Sequence, residues 1–145
     1  MLETITIGGM TLEFYESHAT TEEKLDLFRM TVLPGGRMPV AHYHDRWDET
    51  ILGLEGRLTL HVAGEDIDIG PDDSLFIPRG AVHSFHNVGD EPARCLCMLT
   101  PGALGPDYFR ELAVLIETGA PAPEDMEAIM RRYGLIPVPE NDVSN

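Results

Sequence analysis

The sequence predicts an all-β domain followed by two short helices, and three observations carry that expectation. Short runs rich in branched and aromatic residues alternate with Gly, Pro and Asp clusters through the first hundred positions, which is the spacing of an all-β sandwich or barrel. After Pro101 the apolar period lengthens from two residues to that of a helix. A chain of 145 residues suffices for one compact domain with a substantial core and is too short for two of usual size.

Ten strands are expected in order: TITI, MTLEFYE, KLDLFRMTVL, VAHYH, DETILGL, RLTLHVA, EDIDI, SLFIP, AVHSFHN and ARCLCMLT. Gly8-Gly9, Pro34-Gly35-Gly36, Ala63-Gly64, Gly70-Pro71, Arg79-Gly80 and Gly89-Asp90 supply the reversals between them. The segment PDYFRELAVLIETG sets Tyr108, Leu112, Leu115 and Ile116 at helical spacing behind Pro106, a good first-turn residue, and stops at Gly119. A second helix follows Pro123, with Met126, Ile129, Met130 and Tyr133 on one face and Gly134 as its stop. Both apolar faces are expected to pack on the barrel, with a dimer contact or a lid near a pocket as the alternatives. The organisation is therefore a barrel over 1–101, a helical extension over 102–134 and a frayed tail, LIPVPENDVSN, over 135–145.

Composition narrows the function classes. A 43% hydrophobic, 24% charged chain has the make-up of a globular protein, which argues against whole-chain disorder. Lys and Arg total 10 against 25 Asp and Glu, and a net charge of -15 repels phosphate backbones and anionic membranes. Small molecules are the expected partners, with no nucleic acid and no membrane. The N-terminus lacks a basic segment leading into an apolar one, and nowhere do about 18 apolar residues run together, so the cytoplasm is the expected compartment. Cys95 and Cys97 alternate in an apolar run, where extended backbone points both to one face without favouring a mutual disulfide; they read as reduced core thiols.

The chemistry concentrates in GRMPVAHYHDRWDETILGLEG, residues 36–56. His42 and His44 are one residue apart, so on a strand their imidazoles share a face and can grip one ion. Glu49 lies beyond a turn containing Asp45, Arg46 and Asp48 and can return on the next strand beside them. A third nitrogen is available in IPRGAVHSFHN, where Pro78 and Gly80 shape a turn before His83. His83, Phe85 and Asn87 share one face of that strand and His86 takes the other, so His83 is the candidate and His86 is structural. An isolated histidine is ordinarily a surface residue or a hydrogen-bonded core residue, the reading given to His18 and His61. Parity sets Ile51 and Gly53 with Glu49 and Phe85 with His83 as pocket walls. Trp47 is a candidate cap of the pocket, with partial burial at the barrel rim as the alternative, and either Cys95 and Cys97 or Arg94, Leu96 and Met98 face inward.

Taken together these two motifs resemble those of the cupin superfamily, in its single-domain type-2 form, a jelly-roll barrel. The first motif matches in Gly36, His42, His44, Glu49 and Gly56, and the second in Pro78, Gly80, His83 and Asn87. The second motif's leading glycine is replaced by Asp72, with Gly70 two residues earlier; Asp tolerates left-handed backbone better than most residues, so the same turn is expected. The resemblance implies that His42, His44, Glu49 and His83 ligate one divalent transition metal ion (Fe, Mn, Ni, Cu or Zn), leaving about two of six octahedral positions open. It also implies a second role for Glu49 as a proton acceptor during turnover.

With its helical extension after PGALGPDYF the chain looks most like quercetinase-like bacterial cupins, for which oxidative cleavage of flavonols or related enolic compounds is implied. A metal-supported binding or sensor module without turnover and a non-redox isomerase or epimerase are the alternative readings. A homodimer is expected, because cupins commonly dimerise and because outward Leu52 and Leu54 and a long N-terminal strand need cover.

Overall fold

A computed structural model describes residues 1–38 and 40–139. Its strands are β1 (Glu3–Ile7), β2 (Met10–Glu16), β3 (Asp26–Val32), β4 (His42–His44), β5 (Asp48–Glu55), β6 (Leu58–Val62), β7 (Glu65–Ile69), β8 (Ser74–Ile77), β9 (His83–His86) and β10 (Ala93–Thr100). These correspond to the ten runs anticipated from alternation, each within two residues. Helices α1 (Gly105–Glu117) and α2 (Pro123–Arg132) follow, and then β11 (Leu135–Pro137). No helix among the described residues is long and apolar enough to cross a membrane.

The strands form two antiparallel sheets in the orders β1-β2-β3-β10-β5-β8 and β11-β4-β9-β6-β7. Alternation decides which residues they bury. Along β10 every second residue is buried, so Ala93, Cys95, Cys97 and Leu99 face the core while Arg94, Leu96 and Met98 face out. Across the register these meet Met30, Phe28 and Ile51, which extend the same apolar layer. Both cysteines are free, as expected of core thiols.

The helices complete this core. Tyr108, Phe109 and Leu112 are the buried face of α1, and the Phe109 ring lies 5.8 Å from Phe14 and 5.6 Å from Phe28, themselves 4.9 Å apart. Asp26, at the start of β3 and fully buried, fixes the entry to α1: its Oδ2 accepts from the N–H groups of Ala103, Leu104 and Gly105 at 3.1 Å each, and its Oδ1 from the His18 N–H at 2.8 Å. These are donors that the start of a helix leaves without intrahelical partners.

The turn at Asp72 has the left-handed conformation anticipated for it, with φ +68°. Gly56, which closes the first motif, has φ +64°, and a Cβ there would lie 2.3 Å from the Pro92 carbonyl oxygen. Contrary to the sequence expectation, the C-terminal segment is not frayed throughout. Leu135–Pro137 are a strand paired with β4, because the turn at Gly134 brings the chain back along the exposed edge of that strand. Residues 140–145 of the expected frayed tail lie outside the described residues.

Candidate metal centre

Three imidazoles meet between the sheets. His42 and His44 project from the same face of β4, and register pairs His42 with His83 on β9, so the third ring arrives from the neighbouring strand. Their ligating nitrogens lie within 4.8 Å of one another, and all three residues are buried. His86, one residue beyond Phe85 on the opposite face of β9, bridges to Arg37 and is not part of this cluster.

The two motifs are locked together by backbone contacts. The Gly80 N–H donates to the His44 carbonyl at 2.9 Å, and Arg79 binds Asp48 through its N–H at 2.9 Å and its Nε at 3.2 Å. Asn87, fully buried, donates from Nδ2 to the carbonyls of Val32 and Glu91, and its own N–H donates to the Gly36 carbonyl. Asn87 thus ties the end of the second motif to the start of the first, a structural rather than a ligating role.

Orientation of the rings is set from behind. His42 Nδ1 donates to the Val40 carbonyl at 3.0 Å and His83 Nδ1 to the Ala81 carbonyl at 2.9 Å, which leaves each Nε2 with a free lone pair. His42 Nε2 and His44 Nε2 are 3.2 Å apart, close to the roughly 3 Å that two nitrogens bound at right angles to one ion, each about 2.1 Å from it, must adopt. Glu49 on β5 brings a carboxylate oxygen to 3.8 Å from His44 Nδ1 and 3.9 Å from His83 Nε2.

Burial governs the protonation of these groups. It pushes the pKa of His42 down to about 3, with the neighbouring His83 adding to the effect, and it lowers His44 and His83 as well, so all three imidazoles are neutral at ordinary pH. The same desolvation raises Glu49 to about 7, partly offset by a hydrogen bond with the Cys97 thiol. Three neutral imidazole nitrogens, two of them fixed by backbone acceptors, with a carboxylate beside them are a donor set suited to a divalent transition metal ion.

The cluster opens on a cavity of about 80 Å³, more than one water needs, lined by His42, His44, Glu49 and His83 and by apolar side chains of both sheets. Ile51 and Phe85 are among its walls. Trp47, anticipated at the pocket, is not among them. It is fully buried behind His44, with its ring stacked at 4.8 Å on the imidazole, because the turn after β4 folds it inward beneath Gly134. What sequence reasoning missed is the contribution of the C-terminal segment: Leu104, Tyr108, Phe109, Leu112 and Leu135 all line the cavity. Core packing was the expected role of the helical faces and a lid near a pocket one alternative; the face of α1 does both, being buried on the barrel and lining the cavity.

Comparisons with known proteins agree with this geometry. A family model described as a cupin domain matches residues 28–99. Polyketide synthase CurC of Streptomyces cyaneus is 38% identical over 92 residues, covering 63% of this chain and 56% of CurC. Quercetin 2,3-dioxygenase of Bacillus subtilis is 35% identical over 79 residues, covering 54% of this chain and 23% of that enzyme. The chain therefore matches little more than half the length of the first relative and about a quarter of the second. Among solved structures, the polyketide cyclase RemF of Streptomyces resistomycificus superimposes with a TM-score of 0.57 at 26% identity, over 63% of this chain and 65% of RemF.

Proposed function

This chain belongs to the cupin family, and on that premise we propose that it is a metal-dependent oxidoreductase of the dioxygenase type, acting on a small oxygenated or enolic organic molecule. The observation that supports this most is the convergence of His42, His44, His83 and Glu49 on the wall of one apolar cavity. The likeness to a quercetin 2,3-dioxygenase over the barrel points the same way.

In this reading His42, His44, His83 and Glu49 hold one divalent ion. The chemistry such an ion supplies when bound is Lewis acidity toward an enol or hydroxyl oxygen and, where it is redox-active, coupling to dioxygen. The protein's own residues do the rest. Leu12, Phe28, Ile51, Leu60 and Leu99 exclude water and keep the local dielectric low, which strengthens every polar contact made inside. Glu49 lies close enough to the imidazoles to serve either as a ligand or, released, as the group that accepts a proton from the substrate.

Metal analysis after expression in metal-supplemented medium, combined with oxygen uptake on a panel of enolic substrates, tests this. One ion per chain and oxygen consumption matched to substrate loss are expected; absence of stoichiometric metal overturns it. The likeness to the polyketide cyclase RemF favours a second, non-redox reading. In that case turnover persists without oxygen and with zinc in the site, and oxygen dependence excludes it. Ligand that is bound and returned unchanged identifies a binding module instead.

A homodimer belongs to the same proposal. Leu52 and Leu54 on β5 are 38% exposed and Phe76 on the adjacent β8 is 57% exposed, an apolar strip on the outer face of the six-stranded sheet. Leu52→Glu with Phe76→Glu is expected to convert a dimer to monomer in light scattering without loss of bound metal.

A further inference from the structure

The polar side chains that line the cavity are gathered in one part of its wall. The ligating nitrogens of His42, His44 and His83 lie within 4.8 Å of one another, and the Glu49 carboxylate is 3.8 Å from His44 and 3.9 Å from His83. Away from that cluster the described residues offer hydrocarbon and thioether: Met10, Met30 and Met38 from the barrel, and Leu104, Phe109 and Leu112 from the helical extension. Two further lining residues carry polar atoms that do not reach the cavity. The Tyr108 hydroxyl is itself buried, which leaves only the ring of that residue. Ser84 alternates with His83 and Phe85 along β9 and is register-paired with His61, whose ring bonds Asp66 on the outer face, so its side chain lies outside the barrel. Among the described residues no Lys or Arg lines the cavity.

We propose that this cavity selects a small molecule whose oxygen atoms are gathered at one end, with a short apolar body: the oxygen end meets the histidines and Glu49, and the body lies against the methionines and α1. This rests on the reading of the cavity as the substrate site and names the class of molecule that fits it. A hydroxyl on the body would leave water and find no partner, a loss ordinarily worth about tenfold or more in affinity. A phosphate there would be desolvated with no counter-charge, and the net charge of -15 opposes its approach. Sugars, phosphate esters and polyhydroxylated aromatics are thereby disfavoured. At about 80 Å³ the cavity is smaller than the roughly 150 Å³ in which an apolar cavity holds benzene, so the body is short. Met10, Met30 and Met38 are unbranched and adapt to the shape of such a body.

The test uses the full chain with methyl-labelled methionines, zinc-loaded and again after chelation, and two alcohols of equal size: 1-butanol, with one oxygen, and 1,3-propanediol, with an oxygen at each end. Shifts of the Met10, Met30 and Met38 methyl signals report binding in this cavity. 1-Butanol should bind at least about tenfold more tightly than the diol, and from ethanol to 1-butanol affinity should rise about fourfold per methylene. Intermolecular NOEs should place the hydroxyl-bearing carbon of bound 1-butanol beside the imidazoles and its terminal methyl beside Phe109 and Leu112, an orientation that mere partition into an apolar space does not impose. Equal or tighter binding of the diol, a reversed or mixed orientation, or methionine methyls that no alcohol shifts each overturns the proposal. Because the walls set the preference, it should hold with and without zinc. A chain that takes up no stoichiometric metal therefore sinks the metal-dependent reading, while the alcohol series decides this one on its own data.

Discussion

Leu135 in the last strand is register-paired with His44, and Pro137 with His42, so the C-terminus of the described chain forms the outer neighbour of the strand that carries two of the three clustered histidines. On its other side β4 is paired with β9 only through His42 and His83. Three of the four register pairs made by the three-residue β4 are thus with a segment more than ninety positions away.

Weakening that neighbour should loosen the centre. Leu135 is 3% exposed and also lines the cavity, so Leu135→Ala is expected to cost about 2–3 kcal/mol in urea unfolding, the low end for a buried leucine because the site already borders a void. Truncation after Gly134 should lower metal affinity by tenfold or more, the scale seen when the orienting partners of ligands are lost. A truncated chain that binds metal as tightly as the full one would show that β4 is held without β11.

Parity on β9 gives a paired test. His83→Ala should reduce bound metal to near zero, while His86→Ala, which alters the opposite face, should leave close to one ion per chain. Elemental analysis of both variants side by side checks this, and equal losses would mean that the strand face had been misassigned.

Acid should destabilise the metal-free protein. His42 is lowered from 6.5 to about 3 by burial and by His83, and His44 and His83 shift the same way. Below 6.5 the unfolded chain therefore binds more protons than the folded one, so this contribution is whole above 6.5 and is lost as pH falls from there toward 3. Glu49 acts in the opposite sense: raised from 4.5 to about 7 by burial, it favours the folded state below 4.5 and loses that contribution as pH rises through 7. Three imidazoles outweigh one carboxyl, and the urea midpoint of chelator-treated protein should fall between pH 7.5 and pH 5. Glu49→Gln removes the opposing group and should steepen the fall; a flat profile contradicts the assignment of neutral buried imidazoles.

Asp26 should matter more than its place at a strand end suggests. Asp26→Ala leaves the N–H groups of Ala103, Leu104 and Gly105 without their acceptor and is expected to cost at least about 2 kcal/mol in denaturant unfolding. Because α1 carries Tyr108 and Phe109 into the cavity wall, ligand affinity should fall along with stability. A change below about 0.5 kcal/mol, the range of ordinary surface substitutions, would mean that other acceptors serve the helix start.

Much of this protein is written in short-range pattern. Alternation of apolar and polar residues located ten strands, since the two-residue period of a strand is local. Same-face parity brought His42 and His44 together and separated His83 from His86 for the same reason. The left-handed turn at Asp72 was anticipated from the glycine that the resembling motif carries there, a conformation Asp tolerates better than most residues. What pattern did not give were contacts between distant segments: Asp26 with the start of α1, Trp47 folded behind His44 rather than into the pocket, Leu135 beside His44, and Tyr108 in the cavity wall. Periodicity and spacing along the chain were enough for the strand runs, the two helices and the shared face of His42 and His44. The barrel itself and the meeting of His83 with those two were implied by the resemblance to the cupin motifs and are made by strand pairing. What surrounds the histidines is set by the folded chain, because burial and strand pairing are properties of residues that meet in space, and no local period encodes which apolar face closes over which cavity.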